Sequence, residues 1–151
     1  MENNRKGRFA MRAEVRSTDD LQAIRRLCLE SGLEDGNFDN ILSAVGCYKG
    51  LELVGCAVLK KEGAIYSIDW VAVHESVRRM GIGSMLVHYV ESEARTRGAS
   101  SIWTLARTPA FFSQLGYSPS QPSSGSPNIE HCLGCKQYNN GCRPEILSKR
   151  L

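Results

Sequence analysis

A single α/β domain, built on a mixed but mostly antiparallel central sheet with helices on its faces, is what this sequence predicts, and three observations carry the prediction. The chain has 151 residues, 42% of them hydrophobic and 23% charged, which is the size of one globular domain able to bury roughly two-thirds of its unfolded surface. Short β-prone runs separated by turn residues fill 45–73. Amphipathic helical stretches stand on either side of them, and the order strand, helix, several strands, helix, strand, helix calls for helices packed on a sheet.

Residues 1–10 are polar and basic in character and read as a flexible arm; 11–151 form the domain, including a cysteine-rich tail over about 118–151. Met11 to Arg16 alternates apolar and polar side chains as a half-buried strand does. Ser17 or Thr18, with Asp19 and Asp20, supplies a helix cap and first-turn acids. That helix runs to about Ser31, with Leu21, Ile24, Leu27 and Cys28 on one stripe and Gly32 as terminator. A shorter helix is expected around Phe38 to Ala44. Val45–Tyr48, Leu53–Leu59 and Ala64–Val73, with Lys49-Gly50 and Glu62-Gly63 between them, read as an antiparallel meander. Gly81 to Arg97 carries Ile82, Met85, Leu86, Tyr89, Val90 and Ala94 at helical spacing and ends at Gly98. Ser101–Leu105 returns to strand, and Pro109 opens a short helix through Gln114, closed by Gly116. Ser118 to Asn128 holds three prolines and five serines and reads as loop.

No apolar run approaches the roughly 20 residues of a membrane helix, and Met1-Glu2-Asn3-Asn4-Arg5-Lys6 leads into no signal-peptide core. The expectation is a cytoplasmic protein with no membrane partner. The net charge of +3 is small and the basic residues are dispersed, so no nucleic-acid footprint is indicated, while a local cationic site for an anionic cofactor is compatible with it. Six cysteines in a chain with a sizeable core argue against a disulfide scaffold. Cys28, Cys47 and Cys56 stand singly among apolar neighbours and read as small buried hydrophobes.

The most informative stretch runs from Ile68-Asp69-Trp70-Val71-Ala72-Val73 into Arg78-Arg79-Met80-Gly81-Ile82-Gly83-Ser84. An apolar strand enters a basic, glycine-spaced turn that opens directly into an amphipathic helix. The first turn of a helix offers unpaired N–H groups at the positive end of its dipole, so a phosphate can dock there, and glycines let it approach the backbone. Arg78 and Arg79 add charge. Neither of the two commonest phosphate loops is present. The plainer reading is a basic turn that caps a helix.

Val71-Ala72-Val73 followed by Arg78-Arg79-Met80-Gly81-Ile82-Gly83 resembles the acyl-CoA signature of the GNAT acetyltransferase superfamily, Gln/Arg-x-x-Gly-x-Gly/Ala, and Phe111-Phe112-Ser113-Gln114-Leu115-Gly116-Tyr117 resembles the family's later helix and exit strand. The resemblance covers about 11–117. It implies a GNAT fold with a splayed pair of strands, acetyl-CoA as co-substrate, pantetheine alongside Val71, Ala72 and Val73, and pyrophosphate on the amides of 79–84, with Phe112 also beside the cofactor. It further implies direct attack of an acceptor amine on the thioester, which requires a proton acceptor, an N–H donor for the oxyanion and a means for the thiolate to leave. Asp69 is the candidate base, because period-two alternation puts it on Val71's side of the strand; the bland reading is a solvent-facing or salt-bridged aspartate. Phe112 stands where many family members carry a tyrosine acid. Tyr117, Tyr66 and Ser113 are the alternatives, and no spacing rule selects among them.

Leu105-Ala106-Arg107-Thr108 before Phe111-Phe112 resembles a segment of N-acetylglutamate-synthase-like acetyltransferases, including their short stand-alone relatives. That likeness implies a small-molecule amine acceptor bearing a carboxylate, paired by Arg107 beside Thr108; Arg107 equally suits a structural acid or the CoA phosphates. In the tail, Cys132 and Cys135 form a Cys-x2-Cys pair, with Cys142 after six intervening residues. These thiols suit zinc, a disulfide or no special role. A homodimer is left open.

Overall fold

The computed structural model describes residues 13–33, 38–120 and 145–151; the expected arm of 1–10 lies outside them. Strand β1 (Glu14–Ser17) leads to helix α1 (Leu21–Glu30). Its cap is Asp20, whose Oδ1 accepts the Ala23 N–H at 3.0 Å, whereas the expected Thr18 accepts the Asp20 N–H at 3.2 Å. The acid wins the cap because it sits three residues before an orphan N–H of the first turn. Ile24, Leu27 and Cys28 are buried, as the stripe predicts.

The expected helix over Phe38–Ala44 is corrected: from Ile41 the chain is β2 (Ile41–Lys49). Ile41, Ser43 and Ala44 pair with Lys60, Leu59 and Val58 of β3 (Glu52–Glu62). Partners distant in sequence thus override a short apolar run whose local spacing suited either structure. β1 to β4 (Ile65–Val73) form the antiparallel meander. Helix α2 (Ile82–Thr96) carries the chain to β5 (Ser101–Ala106), which lies parallel to β4. Then follow α3 (Pro109–Gln114), β6 (Ser118–Pro119) and β7 (Glu145–Arg150), giving a seven-stranded sheet in the order β1-β2-β3-β4-β5-β7-β6.

Two expectations about the tail change here. Ser118 and Pro119, read as loop, pair with Ser148 and Leu147, and 121–128 lie outside the described residues. The second change is that the end of the tail, expected only as a cysteine-rich segment, supplies a core strand, with Ile146 and Leu147 9% and 0% exposed. β7 slots between β5 and β6, pairing with β5 from Ser101↔Arg150 to Ala106↔Glu145.

One core lies under α2, where Leu59, Ile68, Leu86, Val90, Ile102 and Leu147 meet. The other lies under α1, where Ile24, Cys28, Cys56, Val58, Trp70 and Ala72 meet. Each large aliphatic side chain so buried contributes about 2 kcal/mol. The site is placed by a pairing that stops. β4 and β5 are matched at Ser67↔Trp103 and Ile68↔Thr104. Beyond that point β4 stays with β3 and β5 with β7, so the two central strands part and open a cleft at their C-terminal ends.

Candidate active site

The basic turn stands at the end of β4 beside this cleft. His74 caps the short 3-10 turn Glu75–Val77, its Nδ1 accepting the Ser76 N–H at 3.1 Å. Val77 is buried at 2% exposure and pins the turn. Arg78 Nε donates to the Val73 carbonyl at 3.0 Å, which ties the turn back to the strand end and leaves its terminal nitrogens for an anion. Arg79 (φ 68) and Gly81 (φ 76) take left-handed conformations, and these swing the chain into α2 with Gly81 as its cap residue.

No side chain caps α2. The first intrahelical bond comes from Met85 N–H to Gly81 O at 3.1 Å, so the amides of Ile82, Gly83 and Ser84 form the helix's unpaired donor set. The two glycines divide their tasks. Gly81 supplies the turn's positive φ, with open space around its Cβ position; a Cβ at Gly83 would lie 3.1 Å from the Phe111 ring. Gly83 therefore serves the docking of α3 on α2 as well as the approach of a ligand. Met80 is 43% exposed beside them.

The strand carries a feature that periodicity did not reveal. Cys56 faces Ala72 and Val58 faces Asp69, so one β3 residue, Ala57, opposes both Trp70 and Val71. This is a β-bulge, and Trp70 holds φ 54 within it. The expectation that Asp69 shares Val71's side is corrected by the extra residue: Asp69 pairs with Val58 on the α1 face, while Val71 and Val73 pack with the α2-side core. Asp69 is half exposed, 3.5 Å from Lys60 Nζ. Its Oδ1 accepts the Trp70 N–H at 2.9 Å. Asp69 follows immediately on the last β4–β5 pair, at the base of the cleft.

The Trp70 carbonyl is directed at the buried sulfurs of Cys56, 3.2 Å away, and Cys28, 3.9 Å away. A trans peptide sets the next N–H opposite the carbonyl. The Val71 N–H is therefore turned away from the Cys56 and Cys28 sulfurs.

Phe112 is 5% exposed and meets Phe111 and Tyr117 edge-on, with centroids at 5.0 and 5.3 Å. Two alternative proton donors are placed elsewhere. Tyr117 donates its hydroxyl to the buried Glu91 at 2.8 Å, and burial followed by the Glu91 charge pushes its pKa far above the ordinary phenol value. Tyr66 donates to Arg97 O at 3.1 Å, at the end of α2 opposite its donor amides and so about 20 Å from them. Ser113 is exposed on α3, and Thr108 is the cap residue of that helix without a side-chain cap bond. Arg107 reaches from the end of β5 to the α1 terminus, donating to Gly32 O at 2.9 Å. It thus links the end of β5 to the end of α1. No group of His, Cys, Asp or Glu that could hold a metal occurs among the described residues; Cys132, Cys135 and Cys142 lie outside them.

A parallel strand pair that parts over a bulge, with an uncapped helix start beside it, offers backbone donors to an anionic group at the mouth of the cleft. The family comparison agrees: 12–117 match the Acetyltransferase (GNAT) family, and the chain belongs to that family. An N-acetyltransferase of Chlorobaculum tepidum, itself uncharacterized, is 32% identical over 73 residues, 48% of this chain and 47% of that protein. The chain thus spans about half the length of this curated relative. The fold is shared with N-acetylglutamate synthase from Neisseria gonorrhoeae complexed with coenzyme A and N-acetyl-glutamate (TM-score 0.70, 24% identity, 92% of this chain and 35% of that one). A Mycobacterium tuberculosis protein in complex with CoA (0.72, 20%, 91% and 99%) and a Bacillus subtilis acetyltransferase in complex with CoA (0.70, 19%, 93% and 99%) share it too.

Proposed function

We propose that the chain transfers the acetyl group of acetyl-CoA to the amine of a small, carboxylate-bearing acceptor. The observation that carries the reading is the uncapped N-terminus of α2 beside the parted strands, with the bulged β4 edge leading to it. On this reading the amides of 79–84 hold the pyrophosphate, with Arg78 and Arg79 adding charge, and pantetheine follows the backbone of Val71 to Val73 past Phe112. The acceptor enters from the α1 face. Its nitrogen attacks the thioester carbon, the carbonyl electrons move onto oxygen beside the Val71 N–H, and the C–S bond breaks as the carbonyl reforms. The amine proton passes to Asp69 through water, and the CoA thiolate takes a proton from solvent. Arg107, next to Thr108, exchanges the Gly32 carbonyl for the acceptor carboxylate, a stronger, charge-assisted partner.

The test is a thiol-release screen over amino acids and polyamines. Turnover with carboxylated amines that drops in Arg107→Ala through acceptor KM is the expected result. Turnover confined to polyamines would overturn the acceptor assignment. Asp69→Asn should lower kcat by roughly a hundredfold or more if the carboxylate is the base, with CoA binding kept. Phe112 favours a second reading, a CoA-binding sensor, because its ring has no proton to give. Silence across all acceptors together with tight CoA binding would establish that reading instead.

A further inference from the structure

The bulge in β4 requires explanation in its own right. A tryptophan at φ 54 is held against its intrinsic preference, a strain of about 1–3 kcal/mol that persists only where surroundings fix it. Three contacts do so. The Trp70 N–H is held by Asp69 Oδ1 at 2.9 Å, its indole meets Phe38 at a centroid distance of 5.0 Å, and its carbonyl meets Cys56 Sγ at 3.2 Å. Cys28 Sγ is 3.8 Å from Cys56 Sγ, and both cysteines are 0% exposed. The two thiols form a short relay, Cys28 to Cys56 to the Trp70 carbonyl, in a place no water reaches. The hydrogen bond with Cys28, then burial, hold the Cys56 pKa well above the usual thiol range, so Cys56 keeps its proton and acts as a donor.

We infer that Cys56, supported by Cys28, is a positioning residue for acetyl transfer: its S–H holds the Trp70 carbonyl on the α1 side and thereby fixes the Val71 N–H toward the thioester oxygen in the cleft. The inference rests on the acetyl-transfer reading given above. It explains why a cysteine, and not valine or alanine, fills an apolar site opposite Ala72: of these three, cysteine alone offers a proton. An oxyanion donor matters most in the transition state, so the effect belongs in kcat and not in cofactor affinity.

The experiment compares Cys56→Val, which keeps the volume without the proton, Cys56→Ala, and Cys56→Ser, which keeps a donor. The expected result is kcat lower by roughly fivefold to tenfold in the Val and Ala variants, KM for acetyl-CoA and CoA affinity within twofold of the parent, and most of kcat restored in Cys56→Ser. Full kcat in the Val variant, or an equal fall in the Ser variant, would overturn the inference. The infrared S–H band decides independently of turnover. In the parent protein a band shifted and broadened relative to a free thiol, and lost in Cys56→Val, supports the relay, whereas an unshifted band refutes it. A parent protein that turns over no acceptor would sink the transfer reading, and the band would still rule on the thiols.

Discussion

Gly83 shows how closely the residues of this site are fitted. A Cβ there would stand 3.1 Å from the Phe111 ring, closer than most packed side chains come, so the ring must give way and the bulkier Gly83→Val should push α3 away from α2. We expect a loss of about 1–3 kcal/mol in unfolding free energy and weaker CoA binding, measured by denaturant melts and calorimetric titration. Glu91 is the opposite case, a carboxylate 1% exposed that accepts from Tyr117 and Lys149 and meets His88 Nδ1 at 3.1 Å. Removing it in Glu91→Ala leaves the buried Tyr117 hydroxyl and the part-buried Lys149 ammonium unmatched and should cost about 3 kcal/mol. Tyr117 supplies a pH signature. Its folded pKa is raised, by burial first and the Glu91 charge second, so its contribution is fully present below the unfolded tyrosine pKa of about 10. Above that pH the unfolded chain releases a proton the folded chain retains, and stability falls. Stability measured from pH 9 to 11 should therefore decline less steeply in Tyr117→Phe than in the parent. The glycine-spaced turn was legible in the sequence because its chemistry is local. The sidedness of Asp69 was not, because one extra residue in β4 inverts a period-two argument.

At the scale of elements, α1 and α2 were readable because each has a stripe at helical spacing and a glycine beyond its end. β7 was not readable. Glu145–Arg150 has two buried positions, Ile146 and Leu147, in a segment whose preceding residues look like loop, and its strand character comes from β5 and β6 on either side. Once β5 leaves β4 past Thr104, β7 is the partner that keeps it extended. Leu147→Ala should cost about 2–5 kcal/mol in unfolding free energy. It should also weaken acetyl-CoA binding, because the cleft wall formed by β5 loses its support; unchanged binding in a folded variant would show that β5 holds its place without β7.

For the molecule as a whole, cofactor and fold stability are linked by mass action. On the proposed reading the CoA site lies between the start of α2 and the cleft in the sheet, surfaces that only the folded chain brings together, so CoA binds the folded chain alone. At a hundred times its dissociation constant it should raise stability by about 2.7 kcal/mol, seen as a thermal shift that Gly81→Trp diminishes. Sequence by itself determined the α/β class, the meander, the two amphipathic helices and the glycine-spaced basic turn between β4 and α2, because spacing, capping and turn chemistry act over a few residues. Tertiary structure alone decided where β4 and β5 part, which face Asp69 takes, that Tyr117 serves Glu91, and that Cys56 meets the Trp70 carbonyl. Each of these depends on groups far apart in the chain, whose meeting is set by strand register and by packing across the two faces of the sheet.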